Sequence, residues 1–164
     1  MKKIIVINGT GGCGKDTFVE LCKKHINVYN FSSIDKVKEV AKIIGWKGTK
    51  TDKDRKFLAD LKKLTTNYND MAFNSIIDAV NVFKKSKDEI MFIHIREPEE
   101  IKRVVDKFNA KTLLIKRTGQ EIIKSNSSDA NIENYNYDYI IENTTLEQYE
   151  NKAIKFIKEL KNVK

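Results

Sequence analysis

Cysteine, proline, tryptophan and histidine are scarce in this chain: two, one, one and two residues among 164. Cys13 and Cys22 do not form a disulfide framework and lack the spacing of a zinc site. His25 and His94 each stand alone, with no second histidine or cysteine pair nearby. His25 reads as a helix-end residue, and His94 as a hydrogen-bonded core group in a strand rather than a metal ligand. No apolar run approaches the roughly 20 residues that a membrane span requires. The apolar stretch near Ile4 is too short for a signal peptide, so a reducing cytoplasm is the expected setting and no membrane partner is expected. Aromatic residues make up 9% of the sequence. They fall on apolar faces and offer no stacking platform for nucleic acid.

What is abundant is charge. Lysine and arginine exceed aspartate and glutamate by 31 to 23, a formal net charge of +8. The lysines are spread along nearly every expected helix, which argues for solvated faces rather than a nucleic-acid footprint. A basic surface also steers small phosphorylated substrates, and that reading is favoured over nucleic acid. With 40% hydrophobic residues, a chain of this length can bury a core and fits one domain, residues 1–164.

Four of the seven glycines lie between Gly9 and Gly14, inside the stretch Lys3–Thr17, KIIVINGTGGCGKDT. The run Ile4-Ile5-Val6-Ile7 reads as a strand. A helix then opens through Phe18, Leu21 and Cys22. Gly9, Gly14 and Lys15 have the spacing GxxxxGK of a phosphate-binding loop, set between strand and helix as that motif requires. Glycines allow successive backbone N–H groups of Gly9, Thr10, Gly11, Gly12, Cys13 and Gly14 to face one oxyanion, and the helix start adds its positive dipole end. Lys15 supplies a point charge for the outer phosphates. Asp16 stands where Ser or Thr ordinarily meets magnesium, and Thr17 follows one place later. The expected ligands are therefore ATP and Mg²⁺, with Asp16 and Thr17 on the metal side.

Beyond the loop the hydrophobic period alternates between strand and helix. A strand is expected over Asn27–Phe31. Ser32 and Ser33 are expected to cap a helix carrying Ile34, Val37, Val40, Ala41 and Ile44, which Gly45 and Gly48 end. Thr51 with Asp54 forms a capping-box variant before Phe57, Leu58, Leu61 and Leu64. After a break at Asn67–Asp70, a helix over Met71–Phe83 turns Phe73, Ile76, Ile77, Val80 and Phe83 inward. Glu89–Ile95 reads as a buried parallel strand. Pro98 falls at the first position of a helix carrying Ile101, Val104, Val105 and Phe108. Lys111–Lys116 is a fourth strand and Asp138–Glu142 a fifth. Thr144 or Thr145 caps a last helix with Leu146, Tyr149, Ala153, Phe156, Ile157 and Leu160 buried. Residues 118–137 lose the pattern and read as a small lid, with a helical turn over Gln120–Ser125. The alternation specifies an α/β fold: a three-layer, five-stranded parallel sheet with helices on both faces and the ligand at the carboxyl ends of the strands.

Three strand ends carry charge suited to phosphoryl transfer, which depends on positioning and charge neutralisation more than on covalent help. Asp35 and Lys38 follow the second strand; Asp35 also suits the helix dipole there. Arg96 follows the third, where a guanidinium can hold a phosphate bidentately, or pair with Glu100. Lys116 and Arg117 lead into the lid, with Lys124 beyond, and cations there can stabilise the transferring phosphoryl group.

These residues resemble a family. GTGGCGKDT is similar to the phosphate loop of nucleoside monophosphate kinase-like P-loop enzymes. Its GKDT ending is most similar to phage-type deoxynucleoside monophosphate kinases and animal-type phosphomevalonate kinases. SSIDKVKEVA at Ser32–Ala41 resembles a family stretch in which an aspartate precedes a hydrophobic residue and a lysine. HIREPEE at His94–Glu100 resembles the DVRxPxE segment, with Arg96, Pro98 and Glu100 in register. Ser127-Ser128-Asp129 followed by YDYIIEN, ending at Asn143, is similar to the family's closing segment. The resemblance implies ATP-dependent phosphorylation of a small phosphorylated acceptor, a (deoxy)nucleoside monophosphate first, with phosphomevalonate or dephospho-coenzyme A as same-class alternatives. It implies that Lys15 contacts the transferring phosphate, that Arg96 holds the acceptor phosphate, and that Asp35, Lys38, Arg55 and Glu100 lie on the acceptor side. The chain departs from the family at His94, which replaces a strand-end aspartate, and in a lid with Arg117 as its one arginine. A nucleotide-binding sensor or partner-binding module with little catalysis is the alternative of another class, favoured by His94.

Overall fold

The computed structural model describes residues 1–117, 119 and 131–162, in two compact units: Met1–Asn30 with Ser86–Lys164, and Phe31–Lys85. The elements run β1 (Lys3–Asn8), α1 (Lys15–Lys23), β2 (Val28–Ser32), α2 (Asp35–Ile44), α3 (Asp52–Asn69), α4 (Met71–Lys85), β3 (Ile90–His94), α5 (Pro98–Phe108), β4 (Lys111–Arg117), a 3₁₀ turn (Ile132–Asn134), β5 (Tyr139–Asn143) and α6 (Leu146–Asn162). The five strands form one parallel sheet in the order β2-β3-β1-β4-β5. Register places Ile7 of β1 beside His94 of β3, and Arg117 of β4 beside Asn143 of β5. The carboxyl ends of four strands therefore share one edge.

Strand periodicity sorts the core of the first unit. Ile5, Ile7, Ile90, Phe92, Leu113 and Ile115 form one buried cluster with Phe18, Val19, Leu21 and Cys22 of α1 and with Tyr149, Ala153, Phe156 and Ile157 of α6. The intervening residues Val6, Met91, Ile93 and Leu114 are buried too. Alternation turns them to the opposite face. That is why these strands read as continuous apolar runs. Phe18 is the hub of the α1 face. Its ring centroid lies 5.4 Å from Tyr149, 5.7 Å from Phe156 and 6.3 Å from Phe92. Burying such a ring contributes on the order of 2–3 kcal/mol, so the helix behind the glycine loop is firmly seated.

In the second unit Val37, Ala41, Leu58 and Leu61 make a smaller core with Ile34, Val40, Trp46, Phe57 and Met71 against it. The capping box at Thr51 and Asp54 is present in both directions. Pro98 sits in the first turn of α5, and Gly45 ends α2 in the left-handed region at φ 116°.

Several local expectations are corrected. The N-cap of α2 is Ile34, not Ser32 or Ser33; Ser33 is buried, and the Ser32 amide instead donates to Asp35 Oδ2 at 3.0 Å. The break at Asn67–Asp70 shrinks to Asp70 alone, because that residue takes φ 55° and closes α3 at once. Ile44, Leu64 and Leu146, expected on inward faces, are exposed. His94 is half-buried at a strand end, not in the core. Thr145 rather than Thr144 caps α6, accepting from the Gln148 amide at 3.4 Å. The expected turn at Gln120–Ser125 and the stretch Ser127–Asp129 lie outside the described residues. No helix among the described residues is long and apolar enough to cross a membrane.

Candidate phosphate-binding site

β1 ends at Asn8, and after a loop of six residues α1 starts at Lys15. The loop between them needs glycine at its two ends. Gly9 has φ 151°, and a Cβ there would meet Cys13 Sγ and the Ile115 backbone carbonyl at 2.5 and 2.6 Å. Gly14 has φ 102°, and a Cβ there would run into the Asn143 side-chain amide. Gly14 is also the N-cap of α1 and has no side chain to bond the helix start. The first helical bond runs from Phe18 N to Gly14 O, so the amides of Lys15, Asp16 and Thr17 precede the intrahelical ladder. Those amides and the dipole end form the donor set an anion needs.

The loop carbonyls are held by side chains. Lys15 Nζ donates to the carbonyls of Gly9 and, at 3.0 Å, Thr10. Arg117 Nη1 reaches Gly12 O at 3.4 Å. Asn143 Nδ2 donates to Cys13 O at 3.0 Å, and Tyr149 Oη donates to Gly14 O at 2.9 Å. Burial foremost raises the Tyr149 phenol well above its usual range, so it stays a hydroxyl donor.

Asn8, fully buried, organises the base of the loop. Its Oδ1 accepts from the Gly9 amide at 2.8 Å. Its Nδ2 donates to the Arg96 carbonyl at 3.3 Å and to Tyr137 Oη at 2.8 Å, and that hydroxyl donates to Ile132 O at 2.9 Å. Burial, partly offset by the Asn8 bond, pushes the Tyr137 phenol up to about 12. The glycine loop and the Arg96 main chain are thus joined through one side chain.

Of the residues singled out from sequence, Gly9 through Thr17, Arg96 and Arg117 lie on connected strand ends of the first unit. Asp16 and Thr17 are exposed on the first turn of α1. Glu100, half-buried, is in the first turn of α5. His94 Nε2 lies 2.8 Å from Asn30 Oδ1. In the second unit, Asp35 is the first residue of α2 and bonds the Ser32 amide, Lys38 is half-buried on the same helix, and Arg55 is exposed on α3. Lys124 lies outside the described residues. Both cysteines are free and buried. Among the described residues, no group of three His, Cys, Asp or Glu side chains could hold a metal ion.

Sequence reasoning missed Asn8, Tyr137 and Tyr149 as parts of this site. Tyr149 read as core because its ring is core, and nothing local betrays where its hydroxyl goes. Asn8 carried a usable signal: a polar residue closing a continuous apolar strand is buried only when its hydrogen bonds are met.

No protein-family model matches the sequence, and no curated protein matches it significantly. Solved structures do match the fold over nearly the whole chain. A tunicamycin resistance protein from Deinococcus radiodurans is 12% identical with TM-score 0.59, covering 96% of this chain and 96% of its own. A sugar kinase from Janibacter is 14% identical with TM-score 0.58, covering 96% and 95%. A shikimate kinase from Aquifex aeolicus is 13% identical with TM-score 0.53, covering 98% and 99%. The sheet, the helices and the glycine loop at the strand ends define an α/β fold with a five-stranded parallel sheet, the fold these solved structures share.

Proposed function

We propose that this chain is an ATP-dependent phosphotransferase that moves the γ-phosphate to a small phosphorylated acceptor, a (deoxy)nucleoside monophosphate first. The observation that carries the reading is the pairing of an anion-directed loop bearing Lys15 with Arg96 on the adjacent strand exit, the two tied together through Asn8. The residues present fit ATP. The start of α1 offers amides that no described side chain caps, Lys15 adds an ammonium group, and among the described residues nothing lies within 4 Å of where a Cβ would stand on Gly11 or Gly12, which leaves room for phosphate oxygens against the backbone. Asp16 and Thr17, exposed oxygen donors beside Lys15, would hold Mg²⁺ directly or through water. When bound, the metal neutralises charge on the phosphates.

In this reading Lys15 exchanges its loop carbonyls for the transferring phosphate, and Arg96 holds the acceptor phosphate. Asp35, Lys38, Arg55 and Glu100 complete the acceptor side. Arg117, the last residue of β4, leads into a lid over residues 118–137 that carries Lys124, in a single kinase domain, residues 1–164. An acceptor phosphate is already ionised and needs no general base. His94 in place of a strand-end carboxylate is compatible with such an acceptor, whereas a hydroxyl acceptor would need its proton removed. The same substitution favours a second reading, a nucleotide-binding sensor or partner-binding module with little turnover.

ADP release with Mg·ATP should be measured across all ribo- and deoxyribonucleoside monophosphates, with phosphomevalonate, dephospho-coenzyme A, shikimate and simple sugars alongside. Stimulation by a nucleoside monophosphate is the expected result. Stimulation only by one of the others would move the acceptor class, and ATP binding without any stimulation would favour the sensor.

A further inference from the structure

Five loop carbonyls, those of Gly9, Thr10, Gly12, Cys13 and Gly14, accept from side chains, and two of the donors come from the far end of the chain. The peptide unit is planar and trans, so its C=O and N–H point in opposite directions. Fixing one carbonyl therefore aims the amide of the next residue. The Cys13 carbonyl belongs to the same peptide unit as the Gly14 N–H, and the Gly14 carbonyl to that of the Lys15 N–H. Asn143 holds the first and Tyr149 the second. Both holders stand on elements of the first unit. Asn143 ends β5, packed so closely on Gly14 that no Cβ fits between them. Tyr149 is fully buried, with its ring against Phe18.

We infer that Asn143 and Tyr149 are positioning residues of the phosphate cradle, aiming the Gly14 and Lys15 amides at the phosphate chain of the donor nucleotide. The inference rests on the P-loop reading of the site and deepens it, by assigning to β5 and α6 the orientation of the loop's last two amides. Without these bonds either peptide unit can rotate, and an amide that must be turned back on binding lowers affinity.

Inorganic tripolyphosphate is the probe, because it tests the cradle without a base, a sugar or an acceptor. Its Kd is measured by calorimetry for the wild type, Tyr149→Phe and Asn143→Ala, with ¹H–¹⁵N spectra recorded on titration. Tyr149→Phe keeps the core ring and removes only the hydroxyl, which keeps the test valid if Asn143→Ala folds poorly. Each variant should weaken binding about five-fold, the equivalent of one hydrogen bond. In Tyr149→Phe the Lys15 amide, and in Asn143→Ala the Gly14 amide, should lose most of its shift on titration while the other resonances keep theirs. Asn143→Ser, which restores a short donor, should recover part of the loss. Unchanged Kd and unchanged amide shifts in a binding-competent protein would overturn the positioning role alone. A wild type that ignores tripolyphosphate and Mg·ATP alike would overturn the P-loop reading and the inference with it.

Discussion

Gly14→Ala tests the geometry of the loop with a single methyl group. Two costs can be worked out. At φ 102° and ψ 22° the backbone is left-handed, which costs an L side chain about 1–2 kcal/mol. The new Cβ also falls on the Asn143 amide. That amide is the end of a flexible side chain, so it moves aside rather than breaking the fold, and its bond to Cys13 O goes with it, about 1 kcal/mol more. The sum, about 2–3 kcal/mol, corresponds to a fall in Tm of about 5–10 °C for a domain of this size. Gly11→Ala is the control. Gly11 is exposed, has no positive φ and, among the described residues, nothing within 4 Å of where a Cβ would stand, so its change should stay within about 0.5 kcal/mol.

Thermal and urea unfolding followed by circular dichroism measure both variants. Asn143→Ala supplies the second arm of a double-mutant cycle, since part of the Gly14→Ala cost is the loss of a bond that Asn143→Ala has already removed. Gly14→Ala should therefore cost about 1 kcal/mol less in the Asn143→Ala background. If the two changes add fully, or if Gly14→Ala is as mild as Gly11→Ala, the close approach of Asn143 to the loop is not what shapes it.

Lys15→Ala should reduce turnover at least about 100-fold, the usual scale for removing a charge that stabilises the transferring group; unchanged turnover in a steady-state assay would remove the loop from the chemistry. Arg96→Ala should raise KM for the acceptor about ten-fold or more while the Kd for Mg·ATP, read by calorimetry, stays within about two-fold; the opposite pattern would place Arg96 on the donor side. Cys22 makes a pH prediction. Burial pushes its thiol up to about 12 in the folded protein, against roughly 8.5 unfolded. Between those values the unfolded chain has released a proton that the folded one retains, so stability is unaffected below the unfolded pKa and falls as pH rises from about 8.5 to 12, by up to about 1.4 kcal/mol per pH unit. Urea unfolding at several pH values from 8 to 11 should show that slope, and Cys22→Ala should flatten it; equal slopes would show that the thiol does not titrate differently in the two states.

The layers of the fold were legible because burial imposes period. Ile5 and Ile7 against Val6, or Ile76 and Val80 on α4, are where alternation and helical spacing put them. The capping box at Thr51 was legible because both partners lie within one turn. Most of what failed lies at element ends; Leu64, exposed within α3, is the exception. Ile44 is the last residue of α2 and Leu146 the first of α6, so each continues an apolar stripe past the packed part of its helix. Asp70 ends α3 by adopting the left-handed region that aspartate and asparagine tolerate better than most residues. A single such residue is a shorter break than the polar run around it suggests.

The site divides along the same line. The spacing of Gly9, Gly14 and Lys15 is local, and it located the loop. The direction in which the loop's amides point is not local. It depends on Arg117, Asn143 and Tyr149, which meet the loop from 105, 130 and 135 positions away. Asn8 adds a further constraint from within β1. By accepting the Gly9 amide it withdraws that donor from any anion, while the Cys13 amide is turned to Thr10 O at 3.3 Å. The donors aimed by tethers from outside, and not already committed within the loop, are those of Gly14 and Lys15. On the proposed reading, the weight of phosphate recognition therefore falls at the helix end of the loop, where the α1 dipole is strongest and where Asp16 and Thr17 stand. A chain with the same glycines and lysine but an apolar residue at the end of β5 would keep the motif and lose this aim.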